Sequence, residues 1–133
     1  MTDTTVHVFV GTFRDRDEAC RYSQENWEPE PPAPATEQEL LDWDQRNPVW
    51  PMRSDLGIAY LDPDCIETID GADRYDYLNR MLKHRGAIDR IRQTAGSQAN
   101  ILVLIFKEAL GGFDARCQST PRLTYCGEFP CTI

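Results

Sequence analysis

Five carboxylates that lie close together in the chain are the residues best suited to chemistry. Asp62, Asp64, Glu67, Asp70 and Asp73 follow one another within twelve residues. Because Mg²⁺ and Ca²⁺ prefer carboxylate oxygens, Asp62, Asp64 and Glu67 define a hypothetical metal site. The spacing does not fit an EF-hand loop, whose glycine and closing glutamate would stand at other offsets. The alternative, which we favour, is an acidic surface that faces solvent or a protein partner and holds no metal or cofactor.

The rest of the sequence has little that an enzyme would need. It contains no phosphate-binding loop, no GxGxxG, no HExxH zinc motif and no GxSxG nucleophile motif. Neither of the two histidines, His7 and His84, has a cysteine, histidine or carboxylate at ligand spacing, such as i+4 on a helix. Both histidines are expected to be structural, and the protein is predicted not to be an enzyme.

The three tryptophans favour a binding function, since tryptophan is enriched at interface hot spots. All of them lie in or beside a proline-rich stretch. Trp27 and Trp50 are expected to fold back over the core. Trp43 stands between two aspartates, and the sequence fits equally well a residue that binds a partner and one that covers the core. The predicted partner-binding surface combines this aromatic residue with the nearby carboxylates and consists of Asp42, Trp43, Asp44, Asp62, Asp64 and Glu67.

Charge is distributed unevenly along the chain. Residues 1–76 hold 18 acidic and 6 basic side chains, a net charge of −12. Residues 77–133 hold 4 acidic and 8 basic side chains, so the whole chain carries −8. This balance argues against nucleic-acid binding, because a phosphate-binding site needs Lys and Arg to displace counterions. It favours a partner protein with a basic surface, although solubility alone would also explain it.

No segment of the sequence looks like a membrane or export signal. The longest apolar run, 101–106, falls far short of the roughly 20 residues of a membrane-spanning helix. The N-terminus reads MTDTTVHVFVG, without the basic start and long apolar stretch of a signal peptide. We therefore expect a cytoplasmic protein that does not contact the membrane.

Alternation and capping signals predict the first half of the fold. A strand is predicted over 6–12, where valines occupy every second position. Asp15 and Thr36 each precede a predicted helix and are followed three residues later by glutamate, the capping-box pattern. Between the two helices, residues 28–35 contain four prolines, typical of a stiff, exposed connector. We interpret 28–50 as an insertion within a single domain over 1–133.

The second half is predicted to contain a strand near 58–61, a turn at 62–64, and two helices, 72–84 and 87–95, that break near Gly86. Three strands separated by short turns should then form an antiparallel meander at 100–107, 113–118 and 122–129. The apolar run in the first of them predicts burial of Ile101, Val103 and Ile105. Gly57 is expected to have a positive φ or a tight packing contact, because glycine inside an apolar segment usually marks one of these. The predicted fold class is α+β: an antiparallel sheet of the N-terminal strand plus the C-terminal three-stranded meander, with the helices packed on one face.

Two segments carry a resemblance to a known family. The first is VFVGTF at 8–13, followed by an acidic helix that contains Tyr22. The second is SDLGIAYLDPDCIE at 54–67. Together they resemble the bacterial Immunity protein 22 family, small α+β proteins associated with polymorphic toxin systems, and the order of elements is similar over almost the whole chain. The chain departs from the family pattern at Phe9, Leu56 and Leu61, where Trp, an aromatic residue and Tyr are common.

The resemblance implies an immunity protein that neutralises a cognate toxin by masking its active surface. An acidic inhibitor suits a basic target such as a nuclease, because charge complementarity speeds capture. Two alternatives stay open from the residues alone. One is a carboxylate-dependent metal-binding enzyme that uses Asp62, Asp64 and Glu67. The other is a generic protein-interaction module that uses the proline-rich segment.

Overall fold

The computed structural model describes residues 3–113 and 115–133, which form a mixed α+β structure. Its sheet has four antiparallel strands: β1 (Asp3–Gly11), β2 (Ile66–Ile69), β3 (Ile101–Phe106) and β4 (Leu123–Thr132). Its five helices are α1 (Arg16–Ser23), α2 (Glu37–Arg46), α3 (Pro51–Leu56), α4 (Arg74–Met81) and α5 (Arg85–Ala95). The predicted α+β class and antiparallel sheet are confirmed. No helix of the described residues is both long enough and apolar enough to cross a membrane.

The apolar strand β3 lies inside the sheet, as its sequence predicts. The strand order is β2-β3-β1-β4, so β3 and β1 lie between the two edge strands. All six residues of β3 are buried, including Ile101, Val103 and Ile105 as predicted. An unbroken apolar run fits this place, because successive side chains of a strand point to opposite faces and both faces are covered here.

The predicted three-stranded meander is wrong. β1 pairs with β3 on one side and with β4 on the other, and β1 thereby separates the two C-terminal strands. The chain leaves β3 through a short 3-10 turn, Lys107–Leu110, and 115–118 is irregular; residue 114 of the predicted strand lies outside the described residues. The fourth place in the sheet is taken by β2, which pairs with the free side of β3.

The prediction that all helices pack on one face is also wrong. On one face, α1 and α3 cover a core that contains Phe9 and Val103. On the other face, α4 and α5 cover a core that contains Val8 and Leu104. Two layers of helices are needed because both inner strands carry apolar side chains on both of their faces.

Helix ends follow local signals where the sequence shows them. The side chains of Asp15 and Thr36 cap α1 and α2 by accepting backbone N–H bonds three residues later, as predicted. The break between α4 and α5 lies at 82–84 instead of at Gly86, which falls in the first turn of α5. Tertiary pairing sets this break, because the Lys83 N–H donates to the carbonyl of Pro130 in β4 and Leu82 forms a bridge with Cys131.

The predicted strand near 58–61 is wrong: the segment is irregular and follows the short helix α3. Pro51 occupies the first turn of α3, and Gly57 ends the helix with φ 69° and ψ 28°. The Gly57 N–H donates to the carbonyls of Arg53 and Ser54, which helps to satisfy the free carbonyls of a helix end. The positive φ expected of Gly57 is confirmed, although an added Cβ would meet no atom within 4 Å.

Replacing Gly57 by valine is therefore expected to lower the free energy of unfolding by about 1–3 kcal/mol, because a β-branched residue is strained in the left-handed region. Urea unfolding followed by circular dichroism measures the loss. Gly57→Asn is the matched control, since asparagine tolerates this conformation and should cost clearly less. Equal stability of the valine and asparagine variants would contradict the assignment of strain.

Candidate functional site

Residues 27–48 form a lobe between α1 and α3 that we call the acidic arm. Its base is closed by a two-residue bridge: the Asn26 N–H donates to the Val49 carbonyl at 2.9 Å, and the Val49 N–H donates to the Asn26 carbonyl at 2.7 Å. Just above the base, the Glu28 N–H donates to Oδ1 of Asn47 at 2.8 Å. Trp50, directly below it, is buried at 3% exposure, which confirms its expected place over the core. The Asn26–Val49 bridge thus joins the two ends of the arm where it meets the core.

Within the arm, two tryptophans contact each other. The rings of Trp27 and Trp43 lie 5.7 Å apart between centroids and are tilted by 43°. The indole N–H of Trp43 donates to the carbonyl of Glu28 at 2.9 Å, so α2 is held against the proline-rich segment of the arm. Trp27 is 52% exposed, and the expectation that it covers the core is wrong. Its ring packs against Trp43 instead.

The remaining apolar residues of α2 face solvent. No residue of α2 is buried; Leu40 and Leu41 are 43% and 50% exposed. Asp42 and Asp44 flank Trp43 and are both exposed, with Asp42 accepting a bond from the Gln38 amide at 2.8 Å. The arm contains six acidic residues and a single basic residue, Arg46. Exposed leucines among carboxylates are typical of a surface that a partner covers.

The other predicted site residues lie near the β2 edge of the sheet. Oδ1 of Asp62 accepts the backbone N–H of Asp64 at 3.0 Å and starts a 3-10 turn, while Asp64 is exposed. Both carboxylate oxygens of Glu67 lie within hydrogen-bond distance of the Tyr77 hydroxyl, at 2.7 and 2.8 Å. Burial first and this carboxylate second raise the pKa of Tyr77 to about 12, so the hydroxyl stays a donor. Two of these three carboxylates therefore serve local structure.

The two parts of the predicted partner-binding surface, residues 42–44 and the carboxylates at 62–67, are not in direct contact. Across 3–113 and 115–133, no hydrogen bond or ion pair connects 42–44 with 62–67. In the same part of the chain no group of three or more His, Cys, Asp or Glu side chains is disposed to hold a metal ion. The metal-enzyme alternative thus has no geometric support, whereas Asp42, Trp43 and Asp44 share one exposed helix.

Sequence reasoning did not find a cavity of about 760 Å³ that borders β1 and β4. His7 lies at its wall and is only 8% exposed. Its Nδ1 is 2.8 Å from the Tyr125 hydroxyl, and its Nε2 is 3.4 Å from Oε2 of Glu128. Thr5 donates to the same Oε2 at 2.9 Å.

The surroundings of His7 disfavour its charged form. Burial lowers the pKa of His7, and the neighbouring Glu128 carboxylate opposes this shift only in part. Burial likewise raises the pKa of Tyr125 to about 12. The 2.8 Å contact between Nδ1 of His7 and the Tyr125 hydroxyl links β1 to β4 on this face of the sheet.

One sequence signal points to this cavity in hindsight. Thr5 and His7 alternate with the buried valines of β1 and therefore lie on the face of Phe9, where polar residues would need partners. The partners come from β4, whose register places Glu128 opposite His7. That register shifts by a bulge between Val8 and Phe9, a feature that the sequence does not reveal.

Comparison of the chain with protein-family models, with curated proteins and with solved structures finds no match. Function is therefore argued below from the residues of the acidic arm and of the His7 cavity.

Proposed function

We propose that this protein is an immunity protein of the bacterial polymorphic-toxin type, which binds a cognate toxin domain through the acidic arm and masks its active surface. The observation that carries the proposal is that α2 exposes Leu40 and Leu41 and buries none of its residues. A helix with this pattern gains little from the core of its own chain, and covering it with a partner would remove apolar surface from water.

Charge defines the chemistry of the proposed partner. Within the arm the only basic side chain, Arg46, is 3.2 Å from a carboxylate oxygen of Glu28, which leaves five acidic residues beyond this pair. A surface with this excess attracts a basic partner over distances of about a Debye length, roughly 8–10 Å at physiological salt. A basic nuclease domain, whose substrate groove is lined by Lys and Arg, is the partner class that fits.

Hydrogen bonds hold the arm in one shape before it meets a partner. Trp43 donates to the backbone carbonyl of Glu28, and the side-chain oxygen of Asn47 accepts the backbone N–H of Glu28. The Asn47 amide also donates to the Trp43 carbonyl at 2.7 Å. A binding surface that is ordered in advance loses less conformational entropy on association. In keeping with this role, we place the action of the protein in the cytoplasm, where it would shield the producing cell.

The direct test is co-expression with the product of the adjacent open reading frame, followed by affinity copurification and a growth assay. Cells that carry both genes should survive induction, and the two proteins should form a complex of defined stoichiometry. A toxic neighbour that neither binds this protein nor loses its toxicity would refute the proposal. Binding without any protection would favour the generic interaction module.

Neutralising Asp42 and Asp44 together, as Asp42→Asn with Asp44→Asn, is expected to lower the association rate of the complex by about threefold or more at low salt. The difference should shrink as salt screens the charges. Stopped-flow or surface plasmon resonance measurements over a salt series provide the rates. Asp89→Asn, at an exposed position of α5, is the control and should have a smaller effect; equal effects of both changes would place the contact elsewhere.

A further inference from the structure

The His7 cavity is a second region whose chemistry the proposed function does not use. On this face of the sheet, α1 and α3 cover the part around Phe9, whereas Thr5 and His7, further along β1, line the cavity. The volume of about 760 Å³ lies within the range of roughly 300–1,000 Å³ that is usual for small-molecule sites. The cavity therefore has the size and the convergent polar groups of a binding site.

The charges around the cavity favour a cation. Asp3 and Lys83 form an ion pair at 2.9 Å and offset each other. Among the described residues, the other charged side chains of the lining are the carboxylates of Glu108 and Glu128 and the ammonium group of Lys107. Leaving His7 aside, these three side chains carry one net negative charge.

Glu128 keeps one carboxylate oxygen for a ligand beside His7. Only its Oε2 atom has protein neighbours within bonding range, Thr5 at 2.9 Å and His7 at 3.4 Å, among the described residues. The side chain is 48% exposed. Each carboxylate oxygen can accept two hydrogen bonds, so Oε1 keeps its full capacity for a ligand.

Apolar side chains complete the lining. Leu110, Phe113 and Pro130 border the same cavity. A ligand that places a charged group on Glu128 would lay an alkyl stem along these residues. The combination of one anchoring carboxylate with apolar walls selects for an amphipathic cation.

We propose that this cavity binds an organic cation, an ammonium or guanidinium group on an apolar stem, with Glu128 as its anchor. The inference does not depend on the acidic arm or on the identity of a toxin. The cation can be carried by a free amine or by a basic side chain of a protein, and the chemistry at Glu128 is the same in both cases.

Binding of the cation should be linked to the protonation of His7. The ionisable groups near the ring are Tyr125 and Glu128 on β4, while Glu108 and Lys107 line the cavity from the 3-10 turn after β3. β3 contributes Ile105, which is apolar, opposite His7. A cation beside Glu128 offsets the carboxylate that favours imidazolium, so the pKa of His7 falls further below its ordinary value of 6.5 when the ligand is bound.

The experiment is an NMR titration of the full chain with n-butylguanidinium, using n-butylurea as the uncharged probe of equal shape. The cation should cause saturable shifts of the His7 ring and Thr5 signals, with a lowered His7 pKa at saturation, and the urea should not. Glu128→Gln should weaken binding at least about tenfold, in line with the loss of a charged hydrogen-bond acceptor. Asp89→Asn, remote on α5, should leave it unchanged.

Two outcomes would overturn the proposal: no saturable shift with n-butylguanidinium, or equal shifts with both probes in the wild-type protein. The comparison of n-butylguanidinium with n-butylurea on the wild-type protein tests the proposal even if Glu128→Gln fails to fold. A capped Gly-Arg-Gly peptide then identifies the source of the cation. Binding at least as tight as that of n-butylguanidinium indicates a protein side chain, and weaker binding indicates a free amine; both results support the cation site.

Discussion

Replacing Gly11 by alanine is expected to lower the free energy of unfolding by about 1–3 kcal/mol, a typical cost of overpacking. A Cβ at this position would lie 2.8 Å from the carbonyl oxygen of Arg122 and 2.9 Å from side-chain atoms of Leu123 and Phe13. The carbonyl belongs to the backbone next to β4, which pairs with β1 through Gly11 and Leu123 and cannot rotate away. β1 and β4 would have to move apart at the Gly11–Leu123 pair.

Gly86→Ala is the matched control with the opposite expected sign. Gly86 lies in the first turn of α5, and an added Cβ would meet no atom within 4 Å. Alanine there should raise stability by about 0.4–1 kcal/mol, because it restricts the unfolded chain and favours the helix. Urea unfolding of both variants gives the two differences. If Gly11→Ala matched or exceeded the wild type, the close approach of β1 and β4 would not be a constraint.

The Gly11 effect should extend to the acidic arm. Arg122, beside this contact, donates to Glu18 of α1 at 2.8 Å, and its guanidinium carbon lies 4.4 Å from the centre of the Phe13 ring. α1 leads into Asn26, at the base of the arm. A shift of β4 near Gly11 would therefore displace the helix from which the binding surface extends.

Replacing Trp43 by alanine is expected to raise the dissociation rate of the proposed toxin complex about 30-fold, which corresponds to the roughly 2 kcal/mol of a hot spot. The change removes the ring that contacts Trp27 and the N–H that binds the Glu28 carbonyl. The effect should depend little on salt, because it comes from packing and not from long-range charge. Surface plasmon resonance at two salt concentrations separates it from the association effect of Asp42 and Asp44.

A structural role of Trp43 alone has to be distinguished from a contact role. Trp43→Phe keeps an aromatic ring and should retain more of the affinity than Trp43→Ala. Leu41→Ala changes a residue that is 50% exposed and should not disturb the fold, yet it should also speed dissociation. If Leu41→Ala binds as the wild type does while circular dichroism shows that Trp43→Ala has lost helix, the exposed face of α2 is not the interface.

The sequence alone determined those features that depend on neighbouring residues. Asp15 and Thr36 cap their helices because a cap needs only a side-chain oxygen close to the first free N–H groups. The burial of β3 follows from its unbroken apolar run. The acidic character of α2 was also readable, since aspartates flank Trp43 directly.

Tertiary structure decided how these elements meet. β1 separates the C-terminal strands, and the α4–α5 break follows backbone pairing with β4; both depend on contacts between residues far apart in the chain. Trp27 is exposed against Trp43 because the arm closes on itself at Asn26 and Val49. His7 gains Tyr125 and Glu128 only through the register of β1 with β4. Local patterns cannot specify such pairings, because the same strand signals fit several registers and a one-residue shift turns every side chain to the other face.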